Sequence, residues 1–435
     1  MDSTNPLDPH GELSDIVSDC VHCGFCLPSC PTYQLWGEEM DSPRGRIHLI
    51  SQLLDGANAT QAAATHLDRC LGCMACVPAC PSGVRYDKLI EAARSWSTEP
   101  PVSSTTGPVQ ALPPRSPRER ALRAAIFATF PYPARLRLLM APLRAAQRTR
   151  LDRLMQRNLA ERLAPEISAA MKVAPGRPAK RAPRGHLPAR VAARGPRRAV
   201  VGMLTGCVQQ VFFPEVNIAT ARVLAAEGCD VLIPPAQGCC GALSLHDGRT
   251  TEADRFASAL IKEFNQAGVD AIVVNSAGCG SAMKEYEDTT FSAKVKDFSE
   301  FLADLGPAAQ RHPLALKAAY HDACHLAHAQ GITKQPRDLL KAIPDLELVE
   351  LPDAGTCCGS AGIYNLVQPA TAAELGKRKA ESVESISPDL VVSANPGCAL
   401  QIKSSLQTPI PVLHIAELLD ASIRSTHPSS LLRQH

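Results

Sequence analysis

Hydrophobic and polar positions follow one pattern at the start of the chain and another at its end. From residue 199 onward, short runs rich in β-branched residues are separated by longer segments of helical periodicity, such as PEVNIATARVLAAEG. The short runs are RAVVGML, CDVLIP, DAIVVNS, LELVELP and DLVVSAN. Strands that alternate with helices predict βαβ units on a mostly parallel sheet. Before residue 95, segments such as GRIHLISQLLDG and ATQAAATHLDR indicate helices instead.

Between these two regions lies a basic segment. The 435-residue chain has a formal net charge of +2, yet residues 101–200 hold 21 Lys and Arg against 4 Asp and Glu. Residues 121–155 alternate apolar clusters with arginines, which predicts amphipathic helices that either lie on an anionic membrane surface or pack on the other domains. Residues 175–199, rich in Pro and Arg, are typical of an extended linker. Aromatic residues make up only 4%, which argues against a stacking surface for nucleic acid.

The 17 cysteines fall into two duplicated sets that flank the basic segment. CVHCGFCLPSCP at 20–31 recurs as CLGCMACVPACP at 70–81, at a constant offset of 50. Later, Cys207, Cys239, Cys240 and Cys279 recur as Cys324, Cys357, Cys358 and Cys398, at offsets of 117 to 119. The chain shows neither a basic start with an apolar run nor about 18 consecutive apolar residues, so we expect a cytoplasmic protein without a membrane span. In that compartment, sets of thiols serve as metal ligands or redox groups.

The first duplicated motif has the spacing C-x2-C-x2-C-x3-C-P that is typical of two-cluster iron–sulfur proteins. Its first three thiols reach one [4Fe–4S] cluster, and its fourth thiol ligates the other cluster. Zinc sites commonly use two CxxC pairs and fit two four-cysteine runs poorly. The spacing therefore predicts one cluster on Cys20, Cys23, Cys26 and Cys80, and a second on Cys70, Cys73, Cys76 and Cys30.

Most cysteines of the second duplicated set follow predicted strands, at the edge where open α/β sheets gather their ligands. Eight matched cysteines need a common role, and three roles stay open for each half: an iron–sulfur cluster, a zinc ion or a reactive dithiol. All eight are candidate ligands of a further cluster or metal. Cys229 lies in a predicted strand and is interpreted as a small buried hydrophobe. His321 and His325, which flank Cys324, are interpreted as structural.

These motifs together resemble a known family. An eight-cysteine ferredoxin module followed by two CCG modules is similar to the iron–sulfur subunits of flavin-linked 2-hydroxyacid and glycerol-phosphate dehydrogenases, and to heterodisulfide reductase subunits. The resemblance is strongest to the glycolate oxidase (glycolate dehydrogenase) iron–sulfur subunit. It is carried by CVHCGFCLPSCPTYQLWGEEMDSPRGRIHLI, HLDRCLGCMACVPACPSGVRY, GCCGALSLH, SAGCGSAMKEY and CCGSAGIYNL. Residues 100–195 show little of it.

Composition and resemblance together predict an α+β multidomain chain. An N-terminal α-helical ferredoxin-type two-cluster domain is followed by a duplicated α/β CCG domain. The expected limits are 1–95 for the two-cluster domain, 96–198 for the basic linker, 199–310 for the first CCG module and 311–435 for the second.

The resemblance implies an electron-transfer subunit of a glycolate dehydrogenase complex, peripheral on the cytoplasmic face of the inner membrane. Flavoprotein partner subunits would oxidise glycolate to glyoxylate, and this chain would pass the electrons toward quinone. No dinucleotide-binding fingerprint and no P-loop is visible in the sequence, so FAD is expected on the partner subunits only. We expect no catalytic residue in this chain and no nucleic-acid partner.

Other functions stay open from the residues alone. One alternative is the iron–sulfur subunit of a D-lactate or glycerol-3-phosphate dehydrogenase, and another is a heterodisulfide-reductase-like catalytic thiol or cluster subunit. A third is a zinc-bound structural scaffold or a nucleic-acid binder that uses the basic segment. CCG modules of heterodisulfide reductase end in CxxC, whereas Ala282 and Gln401 stand at the last position here. That departure counts against noncubane clusters in these modules.

Overall fold

The computed structural model describes residues 5–99, 112–149, 170–171 and 187–432. The chain divides into two compact units. The first comprises Met1–Ala125 and Leu243–Asp254, and the second comprises Ile126–Ala242 and Arg255–His435. The predicted domain limits stay predictions.

The first unit is built from helices joined by short turns. They are α1 (Glu12–Ser18), α2 (Pro31–Trp36), a 3₁₀ turn (Glu39–Asp41), α3 (Pro43–Leu54), α4 (Gln61–Asp68), α5 (Tyr86–Thr98) and α6 (Pro117–Phe127). Helix α3 begins with Pro43 after the capping side chain of Ser42, and α4 begins after the capping side chain of Thr60. Fully buried side chains such as Ile50 and Leu89 form its core.

Both four-cysteine motifs lie in turns of this unit, as the sequence predicted. The first precedes α2, and the second lies between α4 and α5. Cys30 occupies the N-cap position of α2, without a capping hydrogen bond from its side chain, and Pro31 is the first residue of that helix, which explains one of the two Cys-Pro pairs. Pro81, the equivalent proline, lies in a turn instead.

Arginines of the basic segment form ion pairs within the first unit. Arg115 forms an ion pair of 2.8 Å with Asp68 of α4. Arg123 on α6 pairs with Asp247 as well as with Glu119, one turn away on the same helix. All of these described arginine contacts are intramolecular, so part of the positive charge has a structural role.

The second unit contains two mostly parallel sheets. The first sheet has the order β1-β3-β2-β4-β5 and the second has the order β7-β6-β8-β9. Among the described strands, only the edge strand β1 is antiparallel to its neighbour. The strands are β1 (Arg190–Val191), β2 (Ala199–Leu204), β3 (Cys229–Leu232), β4 (Ala271–Val274), β5 (Val295–Asp297), β6 (Leu316–His321), β7 (Leu346–Glu350), β8 (Leu390–Ser393) and β9 (Val412–Leu413).

Most helices of the second unit connect its strands in the βαβ manner. The helices that follow α6 along the chain are α7 (Pro133–Thr149), α8 (Gln209–Phe212), α9 (Pro214–Ala226), α10 (Ala242–His246), α11 (Thr250–Ala267), α12 (Ala277–Lys284), α13 (Thr289–Ser292), α14 (Phe298–Leu305), α15 (Lys334–Lys341), α16 (Tyr364–Val367), α17 (Pro369–Ser385), α18 (Pro396–Ser405), α19 (Ile415–Ile423) and α20 (Pro428–Leu432). Nearly all of α10 and the start of α11 belong to the first unit. A π-helical turn spans His325–Ala329. Among the described residues, no helix is both long enough and apolar enough to span a bilayer.

The two sheets are repeats that pack together. Helix α9 of the first repeat packs on α19 of the second, and α14 packs on α15, the pair related to it by the duplication. One hydrophobic core runs through both repeats and includes Val201, Phe298, Tyr320 and Leu419. The predicted mixture of an α-helical N-terminal part and duplicated parallel sheets is confirmed.

Candidate metal centres

Two cavities lie between the cysteine turns of the first unit. The first is lined by the cysteines Cys30, Cys70, Cys73 and Cys76. The second is lined by the cysteines Cys20, Cys23, Cys26, Cys80 and Cys76. The fourth thiol of each motif thus lies with the first three thiols of the other motif. The same grouping follows from the motif spacing, while ligation by these thiols stays a prediction.

The backbone of the two turns is bent in the same way. His22 and Gly24 have left-handed φ values of 53° and 86°, and their equivalents Gly72 and Met74 have values of 63° and 60°. Left-handed conformations are uncommon for residues such as His and Met and concentrate at functional sites. Turns of this kind aim successive N–H groups at one point and favour anionic groups, including iron–sulfur clusters. All 17 cysteines are free thiols, so the donors required by such clusters are present.

Positive charge and hydrogen-bond donors surround Cys70. The Tyr86 hydroxyl donates to Cys70 Sγ at 3.4 Å, and the backbone N–H of Gly72 donates to it at 3.3 Å. Arg94 donates to the Cys70 carbonyl, and Arg46 lines the same cavity with a side chain that is 1% exposed. Burial raises the pKa of the Cys70 thiol, but the two arginine charges and the Tyr86 hydrogen bond outweigh it and lower this pKa.

The second cavity has a less positive and more exposed wall. Arg44 lines it, but its guanidinium is paired with Glu39 at 2.6 Å. Burial raises the pKa of Cys26 there. Val21 and Phe25, next to the exposed Cys23, are 69% and 67% exposed. The two cavities therefore offer different electrostatic environments.

In the second unit, each repeat gathers four thiols beyond the carboxyl ends of its strands. In the first repeat, Cys207 follows β2, the Cys239–Cys240 pair follows β3, and Cys279 lies in α12 after β4. The Sγ atoms of Cys207 and Cys239 are 3.4 Å apart. Two causes raise the pKa of Cys279 well above its ordinary value: a hydrogen bond with Cys240, which is the larger, and burial. These thiols lie where the duplication and the strand pattern place them.

The second repeat has the same four positions and one additional donor. Hydrogen bonds from Cys357 and Cys398 hold the pKa of the Cys358 thiol well below its ordinary value. A ring nitrogen of His321, Cys358 Sγ and Cys398 Sγ all lie within 4.8 Å of one another. The sequence alone suggested a structural role for this histidine. Its place at the end of β6, three residues before Cys324, was the available signal.

Cys229 lies apart from these groups. It is the first residue of β3, is fully buried, and packs in the shared core. Burial raises its thiol pKa to about 11. Both properties agree with the interpretation as a small hydrophobe.

Comparison with known proteins matches all three regions of the chain. The family described as "4Fe-4S dicluster domain" matches residues 16–84. The family described as "Cysteine-rich domain" matches residues 201–284 and 318–403. A third family, "Glycolate oxidase iron-sulfur subunit, linker region", matches residues 118–174, a segment in which sequence motifs alone showed little resemblance. The chain is therefore an iron–sulfur protein that carries two [4Fe–4S] clusters.

Similarity also extends over whole proteins. The chain is 35% identical over 426 residues to the "Probable glycolate oxidase iron-sulfur subunit" of Bacillus subtilis, covering 92% of this chain and 93% of that protein. It is 34% identical over 427 residues to the "Glycolate oxidase iron-sulfur subunit" of Escherichia coli, covering 95% of each. It is also 30% identical over 241 residues to "Lactate utilization protein A" of Halalkalibacterium halodurans, covering 52% of this chain and 98% of that protein. Full-length similarity and the matched linker place this chain in the family of glycolate oxidase iron–sulfur subunits.

Proposed function

We propose that this chain is the electron-transfer subunit of a glycolate-oxidising complex, in which it accepts electrons from a flavoprotein partner and passes them toward membrane quinone. One observation carries the proposal: the two thiol-lined cavities are adjacent and share Cys76, Pro43 and Tyr86 in their walls. Clusters held there would be close enough to exchange single electrons, which is the chemistry that iron–sulfur groups supply.

The ligand assignment within this proposal is crossed. Cys20, Cys23, Cys26 and Cys80 hold one cluster, and Cys70, Cys73, Cys76 and Cys30 hold the other. The lining of the two cavities supports this assignment. Cys76 borders both cavities, so its position in the motif, rather than its proximity alone, assigns it to the Cys70 group.

The two clusters differ in the role that their surroundings favour. Hydrogen bonds to cluster sulfurs and nearby positive charge raise a reduction potential. The Cys70 group has Tyr86, Gly72 and Arg46 beside it, so it holds the electron more firmly. Val21 lines the cavity of the Cys20 group, and Val21 and Phe25 of the same turn are exposed apolar residues, which suit docking of a protein partner. We therefore assign electron entry to the Cys20 group and onward transfer to the Cys70 group.

A peripheral position on the cytoplasmic face of the inner membrane rests on α7. Its buried side carries Leu136 and Met140, while Leu138 and Leu139 are 76% and 51% exposed. Arg135 and Arg137 precede the exposed pair on the same helix, and basic residues beside exposed apolar ones are typical of helices that lie on anionic lipid. Arg137 also contacts Gln210 at 2.9 Å, so the helix is anchored to its unit.

Co-purification of the native complex through a tag on this chain tests the proposal. The expected result is a flavin-containing partner and reduction of an artificial quinone by glycolate. A complex that reduces quinone with D-lactate and is inactive with glycolate would show that D-lactate is the substrate of the complex instead. A tagged chain that retains its iron and purifies without any flavoprotein would contradict the proposal.

A further inference from the structure

The ring of His321 is buried beside thiols. Its residue is 0% exposed, and neither ring nitrogen has a well-aligned hydrogen-bond partner; the ring interacts instead with the Cys358 thiol. Burying polar atoms without partners costs about 1–3 kcal/mol per group. A histidine that ends a central strand in this state therefore needs a compensating interaction, and metal coordination is the common one for an imidazole.

The neighbours of this ring are soft metal ligands. One ring nitrogen and the Sγ atoms of Cys358 and Cys398 lie within 4.8 Å of one another. A tetrahedral zinc ion, with bonds of about 2.0 Å to nitrogen and about 2.3 Å to sulfur, places its ligands about 3.3–3.8 Å apart. Small side-chain adjustments would bring all three donors onto one ion. Asn395 already donates to Cys398 Sγ at 3.5 Å, the type of outer contact that orients metal ligands.

The first repeat does not offer this arrangement. The duplication aligns His321, the last residue of β6, with Leu204, the last residue of β2. Leu204 is 1% exposed and belongs to a hydrophobic cluster that also contains Cys240. Four thiols are common to both repeats, whereas the nitrogen donor belongs to the second alone.

We propose that His321 is a metal ligand and that the second repeat binds one mononuclear zinc ion through His321, Cys358 and Cys398. Cys324 or Cys357, both adjacent thiols in the same group, supplies the fourth ligand. Three thiolates and one imidazole in a fully buried setting make a closed site, which is the structural class of zinc site. The ion then stabilises the loops at the carboxyl edge of the second sheet and has no redox role.

Metal analysis and zinc X-ray absorption on the full-length protein test this proposal. The expected result is about one zinc per chain, with a nitrogen shell near 2.0 Å and a sulfur shell near 2.3 Å. His321→Leu, which copies the first repeat, should weaken zinc retention against a chelator more than about 100-fold, since even outer-contact changes cost 10–100-fold. Iron in the N-terminal clusters should be unchanged.

Two further variants distinguish the loss of a zinc ligand from a folding defect. His321→Cys should restore zinc with an all-sulfur shell, and His325→Leu, a matched change beside Cys324, should retain zinc as the unaltered chain does. Full zinc occupancy in His321→Leu would overturn the proposal. So would an absorption spectrum without nitrogen in the unaltered chain, or iron in place of zinc at this group.

Discussion

Removing the Tyr86 hydroxyl tests how the protein sets the potential of one cluster. Tyr86 is 3% exposed, and its hydroxyl donates to Cys70 Sγ at 3.4 Å. Tyr86→Phe deletes this donor and keeps the ring, so packing changes little. A donor to a cluster sulfur stabilises the reduced, more negative state, and its loss should lower the reduction potential.

The magnitude follows from the strength of one hydrogen bond. A neutral hydrogen bond contributes about 0.5–1.5 kcal/mol net. For a one-electron couple, a tenfold change in equilibrium corresponds to about 59 mV, or about 1.4 kcal/mol. Tyr86→Phe should therefore lower the potential of the Cys70 cluster by about 20–60 mV.

An anaerobic redox titration followed by electron paramagnetic resonance measures both clusters in one sample. The control is Tyr33→Phe, since Tyr33 lies on α2 and lines neither cavity. We expect the control to leave both potentials in place and Tyr86→Phe to shift one of them. An upward shift, or an equal shift of both clusters, would refute the reasoning.

Three other substitutions probe separate parts of the account. Cys30→Ser should remove the cluster that is held with Cys70, seen as loss of about four irons and of one resonance signal, whereas loss of the other cluster would refute the crossed assignment. Leu138→Glu combined with Leu139→Glu should abolish flotation with vesicles of anionic phospholipid, and unchanged flotation would remove α7 from the membrane contact. Cys229→Ser should lower the free energy of unfolding in urea by about 1–3 kcal/mol, because it buries a hydroxyl in the core; Cys229→Ala should cost less, and loss of iron in either variant would contradict the non-ligand role.

Local patterns in the sequence predicted the elements that position the metal centres. The β-branched runs became β2, β3, β4, β7 and β8, because each is short, apolar and followed by a turn. The offset of 50 between motifs predicted the thiol grouping that lines the two cavities, since the spacing fixes which thiols can face one cluster.

Contacts between distant residues were beyond the reach of these patterns. Arg94 donates to the carbonyl of His246, and Leu243–Asp254 joins the first unit although it lies within the predicted first CCG module. Arg46 and Tyr86 reach Cys70 only because α3 and α5 pack beside the second cysteine turn. His321 was interpreted as structural for the same reason, since one of its sulfur neighbours comes from the loop after β7 and the other from helix α18 after β8.

Reduction of the clusters by glycolate in the intact complex would demonstrate electron transfer from substrate to this chain. Anaerobic samples of the complex, mixed with glycolate and frozen within milliseconds to seconds, report cluster reduction by electron paramagnetic resonance. We expect reduced [4Fe–4S] signals to appear at least as fast as the complex turns over, and added quinone to remove them. Clusters that stay oxidised while glycolate is consumed and quinone is reduced would contradict the electron-transfer role.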